Sequence, residues 1–305
     1  MTVLNKKIAI LGGDEREIPT LFELQKAGAQ IAAAARDSRL LPQGVSDSEN
    51  ILRVLENADC VILPLPGLQK RQQIYNSLGQ KLLLAREHLA VLRPGTPVLI
   101  GVANEWLKEQ CYDFNLDLYI TADDPHLAAA GAVAAAEGAI SLAISESRGL
   151  LSKSLAILIG YGRLGRALAV RLTAMGCQVI VSDCSQEALS WAQKNGLSVV
   201  KPKFMPDLLD QVDLIFNTAP APVLKAAEIE LVPLHAVIID LASSPGGTDF
   251  SACKARGIKA QLASGLPGKY APDYMARLVK KVYLPLIEKL FDENFAVKKG
   301  GEAHD

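Results

Sequence analysis

Aromatic residues are scarce in this 305-residue chain: Phe, Trp and Tyr together make up 5%, while half of all residues are hydrophobic. The core must therefore be built from Leu, Ile, Val and Ala, the composition of parallel sheets covered by helices. An excess of either charge is missing too. Lys and Arg number 32 against 33 Asp and Glu, a formal net charge of −1. That balance removes the electrostatic case for nucleic acid or an anionic membrane as a partner, since both select clustered Lys and Arg. The five cysteines, at 60, 111, 177, 184 and 253, form no CxxC pair and have no His at metal-ligand spacing. No disulfide framework and no metal site are expected, and a reduced, cytoplasmic setting is. Long apolar runs are absent as well. The opening "MTVLNKKIAIL" stops at Gly12, Gly13 and Asp14, too early for a signal peptide. The Ala-rich stretch from Leu127 to Ile144 contains Glu137 and is only weakly apolar, so no membrane span is expected.

Short apolar runs do alternate with amphipathic segments throughout. "KIAIL", "QIAAAA", "CVILPL", "PVLIGVA" and "LDLYI" are strand candidates before residue 122, with helical patterns such as "SENILRVLENA" and "LLLAREHLAVL" between them. Near Asp124 the pattern changes: Asp124 can cap a helix with Pro125 at its first position, and helix-compatible residues continue to about Arg148. A second set follows, "SLAILIG", "CQVIVSD", "VDLIFNT", "AVIIDLA" and "IKAQLAS". The expected fold is α/β, two doubly wound parallel-sheet domains, an N-terminal flavodoxin-like substrate domain and a C-terminal Rossmann domain. The expected boundaries are 1–123, an interdomain helix at 124–150, a dinucleotide-binding domain at 151–270, a C-terminal helix at 271–293 interrupted by Pro285, and a flexible tail at 294–305. That last helix is a candidate to pack back on the first domain.

"ILIGYGRLGRALAVRL" places Gly160, Gly162 and Gly165 in GxGxxG spacing between a strand and a helix. The three glycines serve a tight turn, backbone approach to a pyrophosphate, and close helix-to-strand packing. Tyr161, Arg163 and Leu164 complete the loop, and the helix N-terminus offers free N–H groups to phosphate. Asp183 ends the next strand, where a carboxylate binds the ribose 2′-OH and repels a 2′-phosphate. NAD is therefore preferred over NADP. The alternative reading of Asp183 is a solvated acid at a strand end.

Ligands of a doubly wound sheet bind outside the carboxyl ends of its strands. "NTAP", with Asn217, Thr218 and Ala219, follows one such strand and is expected on the ribose side of the cofactor, unless it is an ordinary turn. "DLASSPGGTDF", residues 240–250, follows another, and "SGLPGKYAP", residues 264–272, a third. Leu241 and Ala242 are expected against the cofactor, while Gly246, Gly247 and Gly268 let backbone approach the substrate and Ser243 and Thr248 act as positioners. Two tight turns, with Thr248 or Asp249 capping the helix around "SACKARG", would account for the capping residues only.

"DLASSPGGTDF", "SGLPGKYAP", "NTAP", the "ILGGDER" start and "AAEGAISLAI" together resemble the A-subunit family of bacterial dipicolinate synthase, in order and spacing along almost the whole chain. The resemblance implies oxidation of dihydrodipicolinate to dipicolinate during sporulation, with a nicotinamide cofactor that includes NADP. It also implies a separate partner, the B subunit, and a substrate domain followed by a Rossmann domain. This chain departs from the family at Ser244, where a cation is usual, at Ala134 and Ala135, where Pro-Thr is usual, and near Cys184, where Arg suits NADP. Those departures bear on substrate identity more than on fold. Assembly into a homo-oligomer is also expected.

A small dicarboxylate calls for guanidinium forks, amides or helix N-termini. Arg16, beyond the first strand, is the first choice, or else a solvated arginine at a helix start. Asn104 either donates to the other carboxylate or caps the helix "EWLKEQ". Glu137 sits among alanines, where desolvation would suit it as a proton acceptor; facing water from its helix is the alternative. Histidine is missing where a 2-hydroxyacid dehydrogenase would need one, since none lies between Phe250 and Gly300. His126 either faces the cleft or, the favoured reading, is a solvated first-turn residue; His88 is expected at the surface, His235 ahead of its strand and His304 in the tail. Other readings of the scaffold are a dehydrogenase or reductase of another small carboxylate and a non-catalytic dinucleotide-binding regulatory protein.

Overall fold

The computed structural model describes residues 2–292. The tail expected at 294–305, with His304, lies outside the described residues. The chain divides into two compact units, Met1–Ala128 with the segment from Pro272 onward, and Ala129–Ala271.

The first unit is built on β1 (Lys7–Leu11), β2 (Gln30–Ala34), β3 (Cys60–Ile62), β4 (Pro97–Ile100) and β5 (Asp117–Ile120). They are parallel and ordered β2-β1-β3-β4-β5, the flavodoxin-like arrangement. Its helices are α1 (Ile18–Lys26), α2 (Ile51–Leu55), α3 (Arg86–Leu89) and α4 (Glu105–Asp113). The helix expected over "LLLAREHLAVL" is shorter than its pattern. Leu82 and Leu84 instead exchange backbone hydrogen bonds with residues 72–74, and only four residues remain helical.

Asp124 caps α5 (Pro125–Glu146), accepting from the N–H groups of His126 and Leu127. By length and composition α5 is long and apolar enough to cross a membrane, with a mean hydropathy of 1.8. Ala136, Ala139, Ile140 and Ala143 of this helix are nonetheless buried in the core of the second unit.

That unit contains β6 (Leu155–Ile159), β7 (Gln178–Ser182), β8 (Ser198–Val200), β9 (Leu214–Asn217), β10 (Val237–Asp240) and β11 (Lys259–Leu262), parallel in the order β11-β10-β9-β6-β7-β8. From β8 to β11 this is the 3-2-1-4-5-6 order of a dinucleotide-binding sheet. Side-chain alternation along β6 sends Ala156 and Leu158 to one face, with α5, and Ile157 and Ile159 to the other. The helices are α6 (Arg163–Ala174), α7 (Gln186–Lys194), α8 (Ala226–Leu231), α9 (Phe250–Arg256) and α10 (Leu266–Tyr270). The chain then returns to the first unit as α11 (Pro272–Leu290). Met275, Val279, Tyr283 and Ile287, four residues apart, are its buried stripe. It packs on α1, and Lys280 reaches Glu23 at 3.2 Å. Pro285 stands inside this helix and does not end it.

Candidate dinucleotide site

The glycine loop joins β6 to α6. Gly165 is the residue that sets their separation: a Cβ there would stand 2.1 Å from the Gly160 carbonyl oxygen, so only glycine lets the helix pack this close. Gly162 is the opposite case, exposed, with nothing within 4 Å of the position a Cβ would take. It is also the N-cap of α6 and makes no side-chain cap, which leaves first-turn N–H groups free beside open space. Donor chemistry and room together fit a pyrophosphate. Arg163 is exposed and Leu164 half-buried, whereas Tyr161 is buried with its ring against Trp191. The Tyr161 side chain is therefore turned into the core, and its carbonyl accepts from Arg166 Nε at 3.3 Å. Arg166 lies over the Trp191 ring at 4.1 Å and closes the outer side of this cluster.

Asp183, just past β7, is half-buried. Its Oδ2 accepts from the Tyr161 N–H at 2.7 Å and its Oδ1 from the Ser185 N–H at 2.8 Å. The acid therefore braces the glycine loop, and each oxygen keeps acceptor capacity for a ribose hydroxyl.

On the other half of the sheet, the polar side chains expected to face a ligand are engaged within the protein. Asn217 is fully buried, accepting from the Ala219 N–H and donating to the Ala219 carbonyl. The Thr218 hydroxyl donates to Ile159 O at 3.0 Å and ties this turn to the glycine loop. Residues 240–250 fold around Asp240, a carboxylate with no solvent exposure. Its Oδ1 accepts from the Ala242 N–H at 3.0 Å; its Oδ2 accepts from the Gly247 N–H at 2.8 Å and the Thr248 hydroxyl at 2.7 Å. Thr248 is thus buried and turned inward, Asp249 caps α9 by accepting from the Ala252 N–H, and Ser243 and Ser244 stand exposed. Leu241 is half-buried and Ala242 buried. The stretch expected as a loop around Gly268 is instead the helix α10, entered through Gly265 with Pro267 in its first turn. Asp240 is not among the residues expected from sequence. The available signal was an acid closing a strand whose other three residues are Val and Ile, where a charged side chain has to find donors.

Arg16 is not a free guanidinium. It is 5% exposed, and its Nε and Nη2 donate to the two oxygens of Asp14 at 2.8 and 2.7 Å. Burial alone would raise the Asp14 carboxyl, but the hydrogen bonds and charge of Arg16, followed by the charge of Arg36, hold it below the usual carboxylate range. Beside them lies a second pair the sequence did not reveal, Arg36 and Glu17, both buried, 3.2 Å apart. Asn104 caps α4, its Oδ1 accepting from the Leu107 N–H. Glu137 is exposed and 3.2 Å from Arg171, the water-facing one of its two readings, while Ala136, Ala139, Ile140 and Ala143 make the buried face of the same helix. His88 accepts from the Ala85 N–H through Nδ1, His126 is exposed, and His235 lies 3.1 Å from Asp213. Burial pushes the Cys60 thiol up to about 12 and those of Cys111, Cys177 and Cys253 up to about 11, the reverse of what a nucleophile needs. Among the described residues no cluster of His, Cys, Asp and Glu could hold a metal ion.

Comparison with known proteins accounts for both units. Residues 7–122 match the N-terminal domain of the dipicolinate synthase A subunit, and residues 136–245 match the NAD binding domain of the D-isomer specific 2-hydroxyacid dehydrogenases. The A subunit of dipicolinate synthase from Bacillus subtilis (strain 168) is 27% identical over 288 residues, covering 93% of this chain and 96% of its own. The chain resembles the dipicolinate synthase A subunit over almost its whole length. Crystal structures agree. The dipicolinate synthase A subunit from Bacillus halodurans matches with a TM-score of 0.82 and 28% identity over 93% of this chain and 98% of its own. Its counterpart from Bacillus subtilis matches with 0.79 and 26% over 95% and 99%. Like these dipicolinate synthase A subunits, this chain is thus a two-domain α/β protein, and its second domain is of the nicotinamide-dinucleotide-binding dehydrogenase type.

Proposed function

We propose that the chain is the nicotinamide-dependent component of a dipicolinate synthase, oxidising dihydrodipicolinate to dipicolinate in the cytoplasm of a sporulating cell and working with a B subunit. The observation that carries this reading is the relationship to the dipicolinate synthase A subunit over 93% of the chain, through both domains. The reaction removes a hydride and a proton from the dihydro ring, and formation of the aromatic ring drives it. The nicotinamide, when bound, takes the hydride. The protein's own part is to hold and orient. Gly160, Gly162, Gly165 and the N–H groups opening α6 hold the pyrophosphate, Asp183 the adenosine ribose, and the backbone around Asn217, Thr218 and Ala219 the second half of the dinucleotide. Leu241 and Ala242 bound the nicotinamide, and the exposed Ser243, with Gly246 and Gly247 behind it, faces the substrate. A carboxylate at position 183 repels a 2′-phosphate, which supports NAD over NADP.

The test is cofactor reduction followed by absorbance, with freshly made dihydrodipicolinate, NAD or NADP, with and without a B subunit. Dipicolinate formed in step with reduction, faster with NAD, is the expected result. No reduction in any pairing, from a protein that binds NAD, overturns it and leaves a different substrate or a non-catalytic dinucleotide-binding role.

A further inference from the structure

Asp240 is the last residue of β10, and its backbone is fixed from both sides, in register with Asn217 of β9 and Leu262 of β11. Its side chain grips both ends of the turn that follows: the N–H of Ala242 at the start, and the N–H of Gly247 and the hydroxyl of Thr248 at the end. Between these holds the chain reverses through Ser243 to Gly246, closed by the Gly246 N–H on the Ser243 carbonyl. Beyond them the Gly247 carbonyl accepts from the N–H groups of Val223 and Leu224, which ties the same turn to the segment after β9. Each of these bonds to the carboxylate comes from a neutral donor, in a place with no solvent exposure. A buried acceptor of this kind tolerates neither a lost donor nor an inserted one. The sheet order places β9, β10 and β11 in the half that receives the nicotinamide end, while β6, β7 and β8 receive the adenosine end.

We infer that Asp240 is a positioning residue: it fixes the backbone of residues 242–248 and thereby sets the affinity of the protein for the nicotinamide end of its cofactor, without touching that cofactor. This rests on the dinucleotide-binding reading of the domain. Replacing one oxygen by an amide turns an acceptor into a donor facing an N–H group, so Asp240→Asn disturbs the turn while leaving the glycine loop untouched.

The experiment compares two probes, ADP-ribose, which lacks the nicotinamide, and NADH, whose emission also reports the surroundings of the ring. Affinities are measured calorimetrically for wild type, Asp240→Asn, Thr248→Val and Thr248→Ser, each checked for its thermal transition. In Asp240→Asn, ADP-ribose affinity should stay within about twofold, while NADH affinity falls about tenfold, the size expected from losing one hydrogen bond to a charged group. The emission of NADH should move toward that of free NADH. Thr248→Val should shift the ratio the same way by a smaller factor, and Thr248→Ser, which keeps the hydroxyl, should restore it. Equal losses for both probes, or no change in either, overturn the inference. Should Asp240→Asn not fold, the Thr248 pair decides, and equal NADH to ADP-ribose ratios in Val and Ser variants overturn it. A folded wild type that binds neither probe overturns the dinucleotide reading itself, and the role of Asp240 with it.

Discussion

Gly246 has φ +87°, and a Cβ there would lie 3.0 Å from Asp240 Oδ2 and 3.1 Å from Leu262 Cδ1. A side chain in such a conformation costs on the order of 1–3 kcal/mol, more for a β-branched one. Gly246→Val should therefore keep the fold, with unchanged far-UV circular dichroism, and lower turnover about a hundredfold or more, the usual result of displacing a positioned group by an ångström. Wild-type rates in that variant would remove the loop from the site. Asp183→Ala makes a second test. Because Asp183 holds the Tyr161 N–H, affinity for both cofactors should fall, with NAD falling further than NADP by about tenfold. An unchanged ratio would withdraw the cofactor preference. The glycine loop and its acid were legible in the sequence because their spacing follows from backbone requirements that only those residue types meet. The engagement of Arg16 by Asp14, only two residues away, and the burial of Asp240 were not, since whether a charged side chain turns to water or to a neighbouring group depends on how deeply tertiary packing buries its segment. Glu137 is the same lesson reversed: its alanine neighbours suggested burial, and the helix turns it outward.

At the level of elements, every strand of the first sheet lies inside an apolar run visible in the sequence. β8 was missed in the second. It has only three residues, at the sheet edge and half exposed or more, so it carries too little alternation to separate from a turn. α10 was hidden by its glycines and proline, which read as a loop until Pro267 is seen in a first turn. α11 was legible as an amphipathic helix, but Pro285 suggested a break that the buried stripe on either side overrides. The centre of that stripe makes a prediction. The Tyr283 hydroxyl is fully buried and lies 2.9 Å from the Thr121 hydroxyl, which also donates to Ile100 O. Tyr283→Phe leaves Thr121 that second partner and should cost about 1 kcal/mol, whereas Tyr283→Ala also opens a cavity and should cost about 3–5 kcal/mol. Urea denaturation of the two variants gives both values, and equal losses would show that the ring adds nothing to the packing of α11.

For the molecule as a whole, a formal net charge of −1 at neutral pH leaves little self-repulsion. Its response to acid therefore falls on individual carboxylates. Asp14 is the one to watch: its side chain is 14% exposed, it is held by the Arg16 fork at 2.7 Å, and its carboxyl lies below the ordinary range. A carboxyl depressed in the folded state stabilises above its unfolded pKa of about 3.9, and that contribution is lost as pH falls through the folded value. Stability should accordingly be level in this respect at neutral pH and decline below about pH 4. Asp14→Asn removes the titrating group and leaves Arg16 buried without its carboxylate, so it should be less stable than wild type at pH 7. Its thermal midpoint should also fall less steeply from about pH 5 to about pH 3. Parallel slopes for the two proteins in that interval would assign the acid sensitivity to other groups, and would mean that the Asp14–Arg16 pair contributes no more than a solvent-exposed one.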